Sequence, residues 1–312
     1  MRKVALLVPM LALAAGAADF RLGIVGTDTS HSTVFTQAFN DTAAPNHVPG
    51  LRVVAAYKGG SQDIESSRKR VDQYAEELRT KWNVEIVPDI ATLCSKVDGI
   101  LLESVDGRVH LEQAKQVFAS RKPVFIDKPL ASTLEDAREI ARLAKEAGVP
   151  WFTSSSLRFG GTAEALKSPA NTGVATWGPG PLEEHHQLDL TWYGIHAVEL
   201  LYTLMGTGCE EVTRVTTPDA DVTVGRWKGG RIGSVRTLRP YSDFGAVAFR
   251  AKEIVQSSPK DKNDYSGLLR EIAQFFQTGK PPVAVEETLE MFSFMDAAQR
   301  SKAAGGAPMR LR

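Results

Sequence analysis

The spacing of apolar residues divides this chain into two parts. Up to about residue 155, short runs rich in Val, Ile and Leu alternate with longer amphipathic stretches. Runs that are apolar throughout are typical of strands buried on both faces of a sheet. We predict strands at 21–26, 51–57, 84–87, 99–103, 124–126 and 151–154, and helices at 66–81, 109–120 and 134–147. This alternation predicts an α/β fold, with a doubly wound parallel sheet of the Rossmann type in residues 18–155.

The second part of the chain has a different pattern. Pro169, Pro179 and Pro181 interrupt a stretch rich in Gly and Thr, and β-rich segments then follow with turns between them. We predict a helix at 195–205, strands at 212–217, 222–227, 232–238 and 246–250, and helices at 265–277 and 285–303. Lys228-Gly229-Gly230 supplies a hairpin turn. Residues 156–312 are therefore expected to form an α+β domain with an open, mainly antiparallel sheet.

The first seventeen residues are a separate segment. Arg2 and Lys3 precede an almost wholly apolar run, and Ala15-Gly16-Ala17 fits the small-x-small rule of a cleavage site. This is the anatomy of a secretory signal peptide, and the run is shorter than the roughly 20 residues that a membrane anchor needs. A buried first strand or an anchor is the alternative. We expect cleavage after Ala17, a periplasmic or secreted protein, and no membrane attachment after cleavage.

Composition excludes several classes of protein. The 312 residues suggest two domains, and 43% hydrophobic with 24% charged residues is typical of a soluble globular chain. The 37 Lys and Arg residues balance 37 Asp and Glu, so no basic excess points to nucleic acid. Cys94 and Cys209 form no C-x-x-C pair. We therefore expect neither a disulfide framework nor a cysteine-based zinc site.

The turn after the first predicted strand is the first candidate for chemistry. In a Rossmann unit it reads G-x-G-x-x-G, and the next helix receives a pyrophosphate at its N-terminus. Gly26 keeps the first glycine, whereas Asp28 and His31 stand at the second and third. A carboxylate there would repel a diphosphate unless it turns away or caps the helix. The turn therefore indicates the fold strongly and the cofactor weakly.

Two further strand ends carry candidate residues. The second strand ends at Tyr57-Lys58, where NAD-binding folds usually place an acid for the ribose hydroxyls. Lys58 would meet the 2′-phosphate of NADP, or it is a solvated loop lysine. Lys128 follows the strand at 124–126, beside Asp127 and held by Pro129. Ligands of open α/β sheets bind at such ends.

These motifs resemble, in order, those of the glucose–fructose oxidoreductase / inositol dehydrogenase / MocA family. The block from 97–103 through His110 to Asp127-Lys128-Pro129 is similar to the family's D-x-V…H…E-K-P pattern. The stretch Trp192-Tyr193-Gly194-Ile195-His196 is similar to its D-x-G-x-H block. Tyr265, followed by Phe275-Phe276 and Gly279-Lys280-Pro281-Pro282, also matches. The resemblance covers almost the whole chain after the signal segment.

The resemblance implies binding of NAD or NADP and oxidation or reduction of a sugar or polyol. It also implies a homo-oligomer formed through the open C-terminal sheet. Lys128 and His196 would lie beside the nicotinamide and the reacting hydroxyl. The cofactor-binding candidates are Gly26, Thr27, Asp28, Ser30, His31, Lys58, Glu103, Asp127 and Lys128.

Two other clusters point to the substrate. The segment Glu183-Glu184-His185-His186-Gln187-Leu188-Asp189 is dense in polar groups, but adjacent histidines on a strand point to opposite faces. We assign no metal there and treat His185 and His186, with Trp192, as substrate candidates; a hydrated surface loop is the alternative. Arg158, where the chain enters the second domain, is either a cleft residue or part of an interdomain salt bridge.

The leading interpretation is an exported oxidoreductase that acts on a sugar or polyol through a tightly bound nicotinamide cofactor. His196 would be the general base, Tyr193 a proton relay, and Lys128 the group that polarises the oxygen. His196 lies near the N-terminus of the predicted helix at 195–205, whose dipole should keep the ring neutral. A buried histidine that only ties the helix to the first domain is the alternative.

Several departures keep a second interpretation open. Asp28 and His31 replace glycines, the ribose acid is missing, and Trp192 stands where the family has Asp. The N-terminal segment also lacks the twin arginine typical of proteins exported with a bound cofactor. A cofactor-free carbohydrate-binding protein, or a lyase, epimerase or glycosidase that kept the fold, is therefore the alternative.

Overall fold

A computed structural model describes residues 19–312. Its first sheet has six parallel strands in the order β3-β2-β1-β4-β5-β6. The strands are β1 (Phe20–Val25), β2 (Leu51–Tyr57), β3 (Glu85–Ile86), β4 (Gly99–Leu102), β5 (Val124–Ile126) and β6 (Trp151–Thr153). The helices between them are α1 (Ser30–Asn40), α2 (Glu65–Trp82), α3 (Ile90–Lys96), α4 (Gly107–Phe118) and α5 (Leu134–Ala147). The predicted doubly wound Rossmann sheet is confirmed.

The ends of these helices follow from local chemistry. Thr133 begins α5 by accepting a hydrogen bond from the Asp136 amide, and Gly148 ends it in the left-handed conformation. Thr29, not Asp28, caps α1: its side chain accepts from the His31 amide. Asp28 is therefore free to make other contacts, which define the candidate site below.

The second sheet has seven strands in the order β12-β11-β7-β10-β9-β8-β13. They are β7 (Gly173–Pro179), β8 (Cys209–Thr216), β9 (Ala220–Trp227), β10 (Ile232–Leu238), β11 (Gly245–Phe249), β12 (Ile254–Gln256) and β13 (Met309–Arg310). The predicted hairpin joins β9 to β10. The sheet is mainly antiparallel, as predicted, but β7 and β10 run parallel.

The remaining helices pack on one face of this sheet or against the first sheet. They are α6 (Gly161–Leu166), α7 (Asp189–Trp192), α8 (Ile195–Met205), α9 (Ser266–Thr278) and α10 (Val285–Ala303). Leu268, Ile272 and Phe276 of α9 share a core cluster with Leu22 and Ile24 of β1. The segment at 266–278, predicted within the second domain, therefore packs against the Rossmann sheet.

The other face of the second sheet carries exposed apolar side chains. Val215, Val224, Ile232 and Phe249 are all exposed, and the strand register puts them on one face. Val235 and Thr176, on the opposite face, are buried against the helices. No helix within residues 19–312 is both long and apolar enough to cross a membrane. The predicted signal peptide at 1–17 lies outside the described residues.

Candidate active site

The candidate site lies at the carboxyl ends of β1, β4 and β5. The strand order reverses direction between β1 and β4, which is where open α/β sheets bind ligands. Gly26 follows β1 with φ of +102°, and a Cβ there would come within 2.3 Å of the Ser104 amide nitrogen. Glycine at this position is therefore required by the chain's own packing.

Asp28 turns away from solvent and joins three loops. Its carboxylate accepts hydrogen bonds from the Ser67 hydroxyl at 2.6 Å and the Val105 amide at 3.1 Å. Burial raises the pKa of Asp28, and these two bonds offset only part of that rise. Thr27 is equally buried and donates its backbone N–H to the Lys58 carbonyl. The Asp28 bridge thus ties the turn after β1 to α2 and to the loop after β4.

A second polar network closes the same edge of the sheet. The Ser61 hydroxyl donates to Asp106 at 2.5 Å, and Arg108 binds both Asp106 and Asp63. Lys58 points to the surface, where it pairs with Asp72 at 2.8 Å. In a dinucleotide-binding fold the adenosine lies at the end of β2. Here the loops after β2 and β4 are joined to each other across that position.

His31 occupies the other side of the turn. Its Nδ1 lies 2.6 Å from Asp127 Oδ2, and its Nε2 lies 3.1 Å from the Tyr265 hydroxyl. The ring is stacked on Phe35 at a centroid distance of 5.1 Å. Burial would raise the pKa of Asp127, but His31 and Lys128 outweigh it and lower that pKa to about 2. Asp127 is therefore an ionised, buried partner of His31.

Lys128 and Glu103 complete this end of the site. The Lys128 Nζ is 4.0 Å from Asp127 Oδ2, and its side chain is 13% exposed. Glu103 is fully buried, and neither of its carboxyl oxygens has a hydrogen-bond partner. Burial raises the pKa of Glu103 well above its ordinary value, and Asp127 adds to that rise. Glu103 is thus a neutral carboxyl group beside an ionised one, a pairing typical of functional sites.

His196 faces these groups from the second domain. It lies in the first turn of α8, and its Nδ1 is 2.7 Å from the Ser155 hydroxyl. Burial and the nearby Lys128 ammonium together lower the pKa of His196 to about 3. The ring is neutral, as predicted, but burial is the main cause rather than the helix dipole. Tyr193 and Phe244 present their rings to it at 5.7 and 5.5 Å.

An open cavity of about 420 Å³ begins beside Phe244. Trp177, Asp243 and Asn263 also line it. This is the size and mixed lining of a small-molecule site. Tyr265 was matched in sequence only as part of the family resemblance, and Ser155 and Phe244 carried no signal in the sequence, because their partners lie in other elements.

Arg158 is committed to internal ion pairs. Its guanidinium contacts Glu199 and Glu287, each at 2.7 Å, and its side chain is only 9% exposed. The structure favours the salt-bridge alternative over a substrate contact. Because all three groups belong to the second part of the chain, the network lies within that part.

The two adjacent histidines lie in a turn, not on the strand that the sequence suggested, and they differ in burial. His186 is fully buried between Asp106 at 3.1 Å and Thr191 at 3.0 Å, with Trp192 at its ring edge. This burial argues against contact of His186 with a substrate. His185 is partly exposed and binds Glu183. No group of three or more His, Cys, Asp or Glu residues suited to a metal occurs in the described part of the chain.

Comparison with known proteins shows what the first part of the chain resembles. Residues 20–154 match the family described as "Oxidoreductase family, NAD-binding Rossmann fold", which confirms the resemblance to the glucose–fructose oxidoreductase / inositol dehydrogenase / MocA family. The chain is 38% identical over 77 residues to 1,5-anhydro-D-fructose reductase of Ensifer adhaerens. That match covers 25% of this chain and 23% of the relative's length.

Solved structures resemble the whole fold. Myo-inositol dehydrogenase of Lactobacillus casei, in complex with NAD(H) and myo-inositol, superposes with a TM-score of 0.72 at 16% identity over 94% of this chain and 97% of that one. Myo-inositol 2-dehydrogenase of Lactobacillus plantarum gives 0.74 at 13% identity over 94% and 100%. At such low identity, these likenesses show the fold alone.

The fold implies a bound dinucleotide, and the residues at the nicotinamide end of its site differ from those at the adenosine end. At one end, the Lys128 ammonium lies near His196, and the unpartnered Glu103 carboxyl lies in the same charge cluster. The first residue of α1, Ser30, is exposed at the helix N-terminus, where anions bind. At the other end, the Asp28 bridge holds the loops together. The residues fit the nicotinamide and phosphate portions.

Proposed function

We propose that this protein is an NAD(P)-dependent oxidoreductase acting on a CH–OH group of a sugar or polyol. One observation carries the proposal: Lys128 of the Rossmann sheet and His196 of the second domain face each other closely enough for Lys128 to lower the pKa of His196. A cation and a neutral imidazole at the switch point of a doubly wound sheet suit chemistry on an oxygen atom.

The nicotinamide, when bound, would accept or supply the hydride. Lys128 would stabilise negative charge on the substrate oxygen, since its ammonium is mostly withdrawn from solvent. His196 would bind the same hydroxyl group. Tyr193 and Phe244 would pack against the C–H face of the sugar. Ser30 at the start of α1 would hold the phosphates, with Lys128 beside the nicotinamide.

The test is an oxidation and reduction assay with both NAD and NADP, using myo-inositol, 1,5-anhydro-D-fructose and a panel of sugars. Lys128→Met should lower kcat by about 10²–10³, the usual cost of removing one stabiliser of developing charge. Lys115→Met, on the exposed face of α4, is the matched control and should leave kcat unchanged. Absence of turnover across the panel with both cofactors would oppose the proposal.

A second candidate function is a cofactor-free protein that binds or transforms a carbohydrate without redox chemistry. The Asp28 bridge favours it, because Asp28 replaces the glycine at which the backbone approaches a diphosphate and is committed to contacts within the protein. The two functions differ in what the purified protein carries. Only the oxidoreductase should bind NAD(H) or NADP(H), which calorimetry and the absorbance of the released cofactor would detect.

We also propose that the protein is exported to the periplasm or secreted and that its cofactor is tightly bound. The support is the sequence pattern of residues 1–17. A cofactor scarce outside the cytoplasm would have to remain bound during catalysis. N-terminal sequencing of protein recovered outside the cytoplasm should begin at Ala18. Retention of Met1 on that protein would contradict cleavage.

A further inference from the structure

We infer that the proton released by the substrate hydroxyl passes through Tyr265 to the His31–Asp127 pair, rather than to His196. This inference rests on the proposed function, because it assigns the proton acceptor of the same reaction. Tyr265 would be the catalytic residue that touches substrate. His31 and Asp127 would act through it.

The hydrogen-bond directions follow from the charge of Asp127. An ionised carboxylate can only accept, so the short 2.6 Å contact requires His31 Nδ1 to carry the hydrogen. In a neutral ring Nε2 is then an acceptor, and the Tyr265 hydroxyl must donate to it across 3.1 Å. The Tyr265 oxygen keeps lone pairs that can accept a hydrogen bond from a substrate hydroxyl. The chain therefore points in one direction, from cleft to Asp127.

The surroundings hold this chain in place. His31 is stacked on Phe35 with an interplanar angle of 14°, and the Tyr265 ring meets it edge-on at 4.9 Å. Asp127 is further fixed because its second oxygen accepts the Lys128 backbone N–H at 2.8 Å. Tyr265 is the most exposed of the three proton carriers. Packing thus leaves Tyr265 as the least buried member of the chain, the one that a substrate could reach.

His196 is poorly suited to the same task. Its ring is partly buried, its hydrogen-bonded neighbour is the neutral Ser155 hydroxyl, and the Lys128 ammonium disfavours a positive charge on it. No carboxylate within residues 19–312 forms an ion pair with it. His31, in contrast, has the ionised Asp127 as a direct partner. A proton transferred to His31 would therefore lie beside a carboxylate, and one transferred to His196 would not.

The proton transfers balance without any further reactant. The O–H bond of the substrate breaks as an O–H bond forms on Tyr265, whose own proton moves to His31 Nε2. His31 becomes an imidazolium paired with Asp127, and the tyrosine is neutral before and after. The nicotinamide of the proposed function would take up the hydride from the same carbon, which accounts for the two electrons. In the reverse reaction each proton retraces its path.

The groups facing the relay come from five elements. Asp127 and Lys128 follow β5, Glu103 follows β4, Asp28 precedes α1, Tyr265 precedes α9, and His196 belongs to α8. Burial raises the pKa of Tyr265 to about 12, with Asp127 adding to the rise. The tyrosine therefore stays protonated in the resting protein and passes a proton on only as it receives one.

The first test examines the resting protein and needs no substrate. Long-range proton–nitrogen correlation spectra of ¹⁵N-histidine-labelled full-length protein distinguish the two imidazole tautomers. We expect His31 to carry its hydrogen on Nδ1. Tyr265→Phe removes only the hydroxyl and should shift the His31 Nε2 resonance while leaving the ring packing intact. A hydrogen on Nε2 in the wild type would overturn the relay, whatever the protein's activity.

The second test uses whichever substrate of the assay panel is turned over. Tyr265→Phe and His31→Gln should each lower kcat by about 10²–10⁴ with little change in KM, as expected for loss of acid–base catalysis. The double variant should lose no more than either single variant, because the residues act as one unit. His196→Asn should instead raise KM more than it lowers kcat. Additive losses, or a larger kcat loss for His196→Asn, would contradict the relay.

The experiments distinguish failure of the proposed function from failure of the proton relay. If the wild type turns over nothing in the panel, the oxidoreductase proposal fails, whereas the tautomer measurement still decides the relay. If turnover is normal and His31 carries its hydrogen on Nε2, the relay alone fails.

Discussion

At the scale of single residues, three polar side chains that stand at unusual positions of the Rossmann turns have internal partners. Asp28 bonds to Ser67, His31 pairs with Asp127, and Lys58 pairs with Asp72. The sequence marks such residues as unusual, but the partners lie up to 96 positions away. Their contacts therefore follow from the tertiary fold and cannot be read from local spacing.

Glu103→Gln should stabilise the protein increasingly as pH rises. The folded state holds this carboxyl protonated, whereas the unfolded chain ionises above its ordinary pKa of 4.5. Because the pKa of Glu103 is higher in the folded than in the unfolded state, its contribution to the free energy of unfolding is fully present below pH 4.5. That contribution is lost as pH rises toward the folded-state pKa, at about 1.4 kcal/mol per pH unit. Glutamine mimics the neutral acid and removes that loss. Urea unfolding of both proteins between pH 5 and 8 measures the difference.

The control for that measurement is Glu112→Gln, an exposed position on α4. Its free energy of unfolding should track the wild type at every pH. If the Glu103→Gln and wild-type curves ran parallel, Glu103 would not be protonated in the folded protein.

Arg158→Met should destabilise the protein by about 3–5 kcal/mol, the usual effect of leaving a buried partner charge unpaired. Glu199 would remain buried without its guanidinium. The double variant Arg158→Met/Glu199→Gln should recover part of that loss. Thermal unfolding measures both, and KM for the active substrate should not change. A raised KM with unaltered stability would restore Arg158 to the substrate site.

At the scale of elements, strongly patterned strands and helices were predictable and short or irregular ones were not. The bounds of β5, α5, α8, β10 and α10 agree with the prediction to the residue. β7 was missed because Gly173, Gly178 and Pro179 weaken its strand pattern; it forms because it pairs with β10 and β11. α3 was missed because seven residues give too little periodicity.

Asp28→Gly should increase affinity for NAD or NADP, because it removes a carboxylate from the turn and releases α2 and the loop after β4. It should also cost about 1–3 kcal/mol of stability, since the Val105 amide loses its acceptor. Calorimetric titration measures the affinity. Asp28→Asn removes the charge but keeps one acceptor oxygen, enough for the Val105 amide, and should gain less. Equal affinities for all three proteins would show that the bridge does not oppose cofactor binding.

At the scale of the whole molecule, the uncovered face of the second sheet predicts self-association. Its apolar residues include Val215, Val224, Ile232 and Phe249, a grouping larger than scattered surface hydrophobics. Light scattering should give a dimer or larger assembly, and Ile232→Glu should yield monomers because a charge would be buried at the contact. Leu182→Glu, an exposed leucine in a loop, is the control. A monomeric wild-type protein would show that this face of the sheet does not mediate self-association.

We expect the site that contains Lys128 and His196 to operate with a nicotinamide cofactor. The most direct measurement is the nucleotide content of protein isolated from its natural compartment, denatured and analysed by absorbance and mass spectrometry. The account predicts NAD(H) or NADP(H) at close to one per chain. It also predicts that the cofactor of the isolated protein is reduced when a turned-over polyol is added. Protein that carries no dinucleotide and binds none when NAD or NADP is added would contradict the account.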